Sequence, residues 1–130
     1  MEGASLFELS VEIPFSAAHQ INGHPGQCAQ LHGHNYRAIV TIAGGRLDAL
    51  GMVIDFGEIK QLCAQVIGTL DHCYLNQVPA FAEVNPTAEA IARHVYRAVA
   101  SALPQKGDIR LAVTRVTIYE SDRSYATYWE

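Results

Sequence analysis

The chain is short of cysteine, of charge and of long apolar runs, and each shortage closes off a class of protein. Its 130 residues hold three cysteines, an odd number with no paired spacing. That argues against a disulfide framework and fits a reducing compartment. Lysine and arginine number 9 against 13 aspartates and glutamates, a net charge of -4, so no broad basic surface is available to hold nucleic acid. No apolar stretch approaches the ~18 residues that cross a bilayer. The opening residues, MEGASLFEL, lack the basic start and apolar run of a secretory signal. What is present is 49% apolar residues with 17% charged, enough for a real core at a length typical of one domain. These features predict a single cytoplasmic domain over residues 1–130, with no nucleic-acid or membrane partner. Six histidines in so short a chain ask for an explanation.

Phe7, Leu9, Val11, Ile13 and Phe15 alternate with polar residues, the period of a half-buried strand. Gly23, Pro25 and Gly26 mark a loop. A second strand starts near His34, with Tyr36, Ala38, Val40 and Ile42 on one face, and breaks at Gly44-Gly45. A helix follows Met52-Val53-Ile54. Asp55 and Glu58 have the spacing of a capping box, and Ile59, Leu62, Cys63, Val66, Ile67 and Leu70 form its apolar stripe. A second helix begins near Asn85-Pro86-Thr87, with proline in the first turn. It buries Ile91, Val95, Ala98, Val99 and Ala102, and Pro104 and Gly107 end it. Strands from about Arg110 to Ser121 and Ser124 to Trp129 complete the order ββααββ. This predicts an α+β fold: a four-stranded antiparallel sheet with two helices on one face. Its open edges predict a homo-oligomer joined edge to edge.

His32 and His34, two apart on extended backbone, project to one face; glycine between them permits close packing or a bend. His19 ends the first strand, so neighbouring strands would bring three imidazoles together. Three nitrogen ligands without paired cysteines is the pattern of a catalytic zinc with one open position. Cys28 is a fourth ligand, a catalytic thiol or a loop cysteine, and spacing leaves the three open. Cys63 lies on the apolar stripe and reads as core; Cys73 reads as packing. Asp71-His72 is either a helix end with a surface histidine or a carboxylate steadying a proton-carrying imidazole. Glu120 shares a face with Val116 and Ile118. It is a strand end emerging into solvent, or a carboxylate accepting two N–H bonds from a planar heterocycle. His24 reads as exposed or part of a lid, His94 as surface, and Thr87 and Glu89 as helix-start residues beside which ligand contacts stay open.

Six pieces in this order carry a resemblance across nearly the whole sequence, from about Phe7 to Tyr128. They are Phe15-Ser16-Ala17-Ala18-His19, Cys28-x-x-x-His32-Gly33-His34, Val53-Ile54-Asp55-Phe56, Asp71-His72-x-x-Leu75-Asn76, Pro86-Thr87-x-Glu89 and Tyr119-Glu120-Ser121. Together they resemble the 6-pyruvoyl-tetrahydropterin synthase superfamily, and within it the bacterial branch that forms 6-carboxy-5,6,7,8-tetrahydropterin. The short Cys28-to-His32 gap is similar to the carboxy-forming branch, whereas Ser121 stands where threonine is more usual. The resemblance implies the T-fold and a homohexamer of two stacked trimers, each closing a β-barrel from its subunits' sheets. It implies zinc on His19, His32 and His34, Cys28 as general base, Asp71 and His72 as proton relay, and Glu120 as pterin anchor, with Thr87 near the substrate. The implied substrate is 7,8-dihydroneopterin triphosphate, in the early step feeding queuosine and deazapurine synthesis. The absence of a Gly-rich dinucleotide fingerprint agrees with a reaction that needs no nicotinamide.

Overall fold

The computed structural model describes residues 6–105 and 110–130. Two long strands, β1 (Phe7–His19) and β2 (His32–Gly44), form the spine as an antiparallel pair running from Phe7 opposite Gly44 to His19 opposite His32. Alternation along β1 survives as Val11, Phe15, Ala17 and His19 buried on one face. Residues directly opposed across an antiparallel pair share a face, so β2 adds Tyr36, Ala38, Val40 and Ile42 to the same side. The stacked rings of Phe15 and Tyr36, with centroids 4.8 Å apart, fill the centre of that face.

Helix α1 (Phe56–Gly68) packs on β1. Ile59, Cys63, Ile67 and Leu70 are buried, while Leu62 and Val66 flank the core half-buried. Asp55 is the N-cap, but its side chain accepts no capping hydrogen bond, so its arm of the predicted capping box is not formed. Helix α2 (Ala88–Ala102) packs on α1 and on strands β4 (Leu111–Tyr119) and β5 (Tyr125–Tyr128). Its cap is Thr87, whose Oγ1 accepts from Ala90 N–H at 3.1 Å. Pro86 therefore lies before the cap and not in the first turn as expected, which leaves its carbonyl free to turn elsewhere. Gly107, expected to end this helix, lies outside the described residues.

The sheet departs from the expected four antiparallel strands. Among the described residues it has five, in the order β3-β1-β2-β4-β5, and β3 (Cys73–Tyr74) runs parallel to the end of β1. The cause is the reversal after α1. His72 adopts φ 57° and donates its N–H to Ser16 O at 2.6 Å, which lays the next residues along β1. A two-residue strand has no periodicity to read.

The helix-free face of the sheet is polar. Glu12–Arg37 at 3.1 Å and Glu8–Arg115 at 3.2 Å pair across strands, Ser10 and Thr41 hydroxyls meet at 2.8 Å, and Arg37 lies 4.2 Å from the Tyr119 ring centre. Polarity thus protects the face that the helices leave uncovered. Among the described residues, β3 covers only Ala17 and Ala18 of the outer edge of β1.

Candidate metal centre

Register alone collects the three histidines. His19 stands opposite His32, and His34 opposite Ala17, so all three imidazoles emerge on the core face where the β1–β2 pair ends. Ring centroids are 4.5 Å (His19–His32), 5.0 Å (His19–His34) and 4.9 Å (His32–His34), and one ligand nitrogen from each lies within 4.8 Å of the others. Gly33 between them is neither bent nor tightly packed: it pairs with Ala18, and a Cβ there would meet Ala17 O at 3.4 Å, an ordinary contact.

Two of the rings are oriented by backbone carbonyls. His19 Nδ1 lies 2.8 Å from Pro86 O, and His32 Nδ1 lies 2.7 Å from Gln30 O. A carbonyl only accepts, so each Nδ1 carries a hydrogen, and the neutral ring then has its lone pair on Nε2. His19 is 1% exposed, and its Nε2, like that of His34, is buried with no hydrogen-bond partner among the described residues. A buried unpaired polar atom costs about 1–3 kcal/mol. Two such lone pairs side by side are what a metal ion would satisfy, and carbonyl-oriented imidazoles are the usual support of metal ligands. The residues therefore fit a metal, and a three-nitrogen donor set suits zinc. Burial first, then the neighbouring imidazoles, press the His34 pKa below its ordinary value against the opposing pull of Glu120, keeping the ring neutral and able to ligate.

Glu120 follows β4, and its N–H donates to Ser124 O at 3.0 Å across the β4–β5 turn. Its carboxylate oxygens lie 3.9 Å from His19 Nε2 and 3.8 Å from His34 Nε2, too far for hydrogen bonds but directly beside the imidazoles. A cleft of about 310 Å³ opens there, lined by His19, Cys28, His32, Thr87, Glu89 and Glu120 among others. Cys28 is exposed in a short 3-10 turn, Gln27–Ala29. His24 is exposed in the same cleft, and its Nδ1 accepts from Gly26 N–H at 2.9 Å. Glu89, which spacing assigned to the helix start, turns out to line the cleft as well. Its sequence signal was the Pro-Thr-x-Glu motif and not any periodicity.

Asp71 and His72 lie elsewhere. Asp71 Oδ1 accepts from Ser16 N–H at 2.9 Å and lies 3.0 Å from His72 Nδ1. The Ser16 bond chiefly, with His72 assisting, holds the Asp71 carboxyl below the usual carboxylate range. His72, 83% exposed, lines a different cleft of about 530 Å³ with Ser16, Gly33, His34, Asn35 and Cys73. Only His34 of the imidazole cluster borders it, and Cys28 does not. The Cys73 thiol donates to Asp71 O and Thr69 O at 3.4 and 3.5 Å, while Cys63 is fully buried, its thiol pushed up to about 11 by burial. His94 is half-buried against Phe81, with ring centroids 5.5 Å apart, rather than on the surface as expected. Among the described residues, neither cleft that reaches the imidazoles is lined by lysine or arginine.

Fold and site together define a class: an α+β protein in which the end of a long strand pair gathers three histidines beneath a carboxylate. The chain belongs to the 6-pyruvoyl tetrahydropterin synthase family, which matches residues 8–130. A 6-carboxy-5,6,7,8-tetrahydropterin synthase of Rickettsia typhi is 36% identical over 130 residues, covering 87% of this chain and 93% of its own. Another of that name, from Bacillus subtilis, is 34% identical over 127 residues, covering 94% and 84%. The 6-pyruvoyl tetrahydropterin synthase structure of Caenorhabditis elegans superposes with a TM-score of 0.83 at 26% identity, over 100% of this chain and 99% of that one. These neighbours fit the T-fold.

Proposed function

We propose that this chain is a zinc-dependent lyase that converts 7,8-dihydroneopterin triphosphate and water to 6-carboxy-5,6,7,8-tetrahydropterin, acetaldehyde and triphosphate. The observation that carries the reading is the pair of orphaned Nε2 atoms on His19 and His34, beside a cleft that also holds Cys28 and Glu120. The short Cys28-to-His32 gap and the names of the relatives favour the carboxy product over the pyruvoyl one.

His19, His32 and His34 would hold the ion, which supplies Lewis acidity to the hydroxyl groups of the substrate side chain. Glu120 accepts the N–H groups of the pterin ring, and Thr87 borders the ring's place. Cys28, as thiolate, takes a proton from the substrate's side chain. His72, its Nδ1–H donated to Asp71, returns one through Nε2. The carbon next to the ring is oxidised to carboxylate with oxygen from water. The ring takes up those two electrons, one carbon–carbon bond of the substrate's side chain breaks, and triphosphate leaves from the terminal carbon. No external reductant is required, and the product suits queuosine and deazapurine synthesis.

A homo-oligomer, with hexamer as the expected count, accounts for what one subunit leaves open. Cys28 and His72 line separate clefts, and among the described residues neither cleft offers a lysine or arginine to a triphosphate. Phe7, Leu47 and Phe56 stay exposed around an apolar cleft, the kind of surface that marks an interface. A cytoplasmic, reducing location suits a free Cys28 thiol, and among the described residues no helix is long and apolar enough to cross a membrane.

Zinc-loaded protein incubated with dihydroneopterin triphosphate should release acetaldehyde in step with triphosphate. Pyruvoyl product without acetaldehyde would reverse the choice of reaction, and zinc binding without any turnover would leave a structural metal module.

A further inference from the structure

Past His19 the chain keeps its backbone groups paired although both neighbouring strands stop: Ile21 N–H donates to Cys28 O at 2.8 Å on the side of β2, and β3 ends at Tyr74, opposite Ala18. On the β3 side two asparagine side chains carry the pairing on. Asn76 Oδ1 accepts from Gln20 N–H at 2.8 Å, and its Nδ2 donates to Gln20 O at 2.9 Å. Asn85 repeats the arrangement two residues on: Oδ1 accepts from Asn22 N–H and Nδ2 donates to Asn22 O, both at 2.9 Å. A primary amide is the side chain with one acceptor and one donor arm at the spacing of a peptide unit.

The second clamp leads to the histidines. Asn85 O accepts from Thr87 N–H at 2.9 Å, closing a tight turn around Pro86, whose ring fixes φ. The carbonyl between those two anchors, Pro86 O, is the one that takes the His19 Nδ1 hydrogen. Thr87 in turn caps α2. The loop is thus fastened to the end of β1 by Asn85 on one side and to the helix by Thr87 on the other.

We infer that Asn85 is a positioning residue for the metal centre. By clamping Asn22 it aims the Pro86 carbonyl, which holds His19 in the tautomer and orientation that keep Nε2 turned toward His32 and His34. This rests on the metal reading above. Asn85 lines neither cleft that reaches the imidazoles; it acts through His19. Aspartate cannot replace it, because a carboxylate keeps the acceptor but sets a second oxygen against Asn22 O.

The test is metal affinity, measured by chelator competition for zinc, with the visible spectrum of the cobalt-substituted protein as a second readout. Asn85→Ala should lower zinc affinity about tenfold, the low end of the ~10–100-fold typical of groups behind metal ligands, and should shift the cobalt bands. In a His19→Ala background the same substitution should cost nothing further, since coupled residues are not additive. Unchanged affinity and spectrum, or an equal loss without His19, would overturn the inference. Asn85→Asp, isosteric and suited to folding, should reproduce the loss if Asn85→Ala does not fold, and wild-type affinity in it would also overturn the inference. Failure of the wild-type protein to bind zinc or cobalt would instead remove the metal reading, and this inference with it.

Discussion

Glu120 Oε1 stands 3.8 Å from His34 Nε2, facing the imidazole cluster without hydrogen bonding to it. The same carboxylate lines the smaller cleft, so it can serve the ion or a molecule bound beside it. The two roles separate in one variant. Glu120→Gln keeps the shape and removes the charge and one of two acceptors. Zinc content should stay at one per subunit while KM rises about 10- to 100-fold, the worth of a hydrogen bond to a charged group. Loss of zinc in this variant would make Glu120 a ligand and close the open position.

Cys28 is exposed, lines that cleft and lies outside the three-histidine cluster, and it is proposed as the base rather than as a ligand. Cys28→Ala should therefore retain zinc, with turnover reduced by roughly 10²-fold or more, as expected for loss of a positioned base. Metal analysis and single-turnover kinetics on the same sample check both halves. Unaffected turnover would exclude the thiol as base.

Asp71→Asn isolates charge from architecture. The amide oxygen can still accept from Ser16 N–H, so β1 and the turn at His72 stay joined. If Asp71 and His72 form the proposed relay, removing the charge weakens it, and kcat should fall on the order of 10²-fold with zinc content and melting temperature near those of wild type. A melting temperature that falls with kcat would point to a structural role.

His94 gives a pH test remote from the imidazole cluster. Burial lowers its pKa below the ordinary 6.5, so the folded protein binds its proton less readily than the unfolded one. Stability is then level above that value and falls as pH drops through 6.5 toward the lower folded value. Arg93 and Arg97 line the same cleft, and burial is the cause of the shift. In zinc-loaded protein, denaturant midpoints should decline between pH 7 and pH 5, and His94→Gln should flatten that decline whatever its absolute stability. An unchanged slope would show that His94 does not titrate unfavourably in the fold.

Much of the site was legible because its residues sit at the ends of periodic runs. Alternation through Phe15 and Ala17 carries His19 to the core face, and His32 and His34 share a parity, so convergence needed only that the two strands pair. The stripe on α1 and the apolar row ending in Glu120 were readable in the same way. Asp55 misled because its spacing fits a capping box that its side chain does not form. His94 misled because a position off the main stripe of α2 still meets Phe81 from another segment.

Local rules of period two and period 3.6 act between near neighbours, and these were enough to determine the two helices, the four longer strands, most of their buried faces and the three imidazoles at one strand end. They did not determine β3, nor that Ala102, expected on the buried face of α2, is exposed. Tertiary structure alone decided that Pro86 O meets His19, that Ser16 receives Asp71, and that Cys28 and His72 open into separate clefts. Those contacts join segments dozens of residues apart, and no repeat along the sequence encodes how a loop docks once its flanking helix and strand have packed.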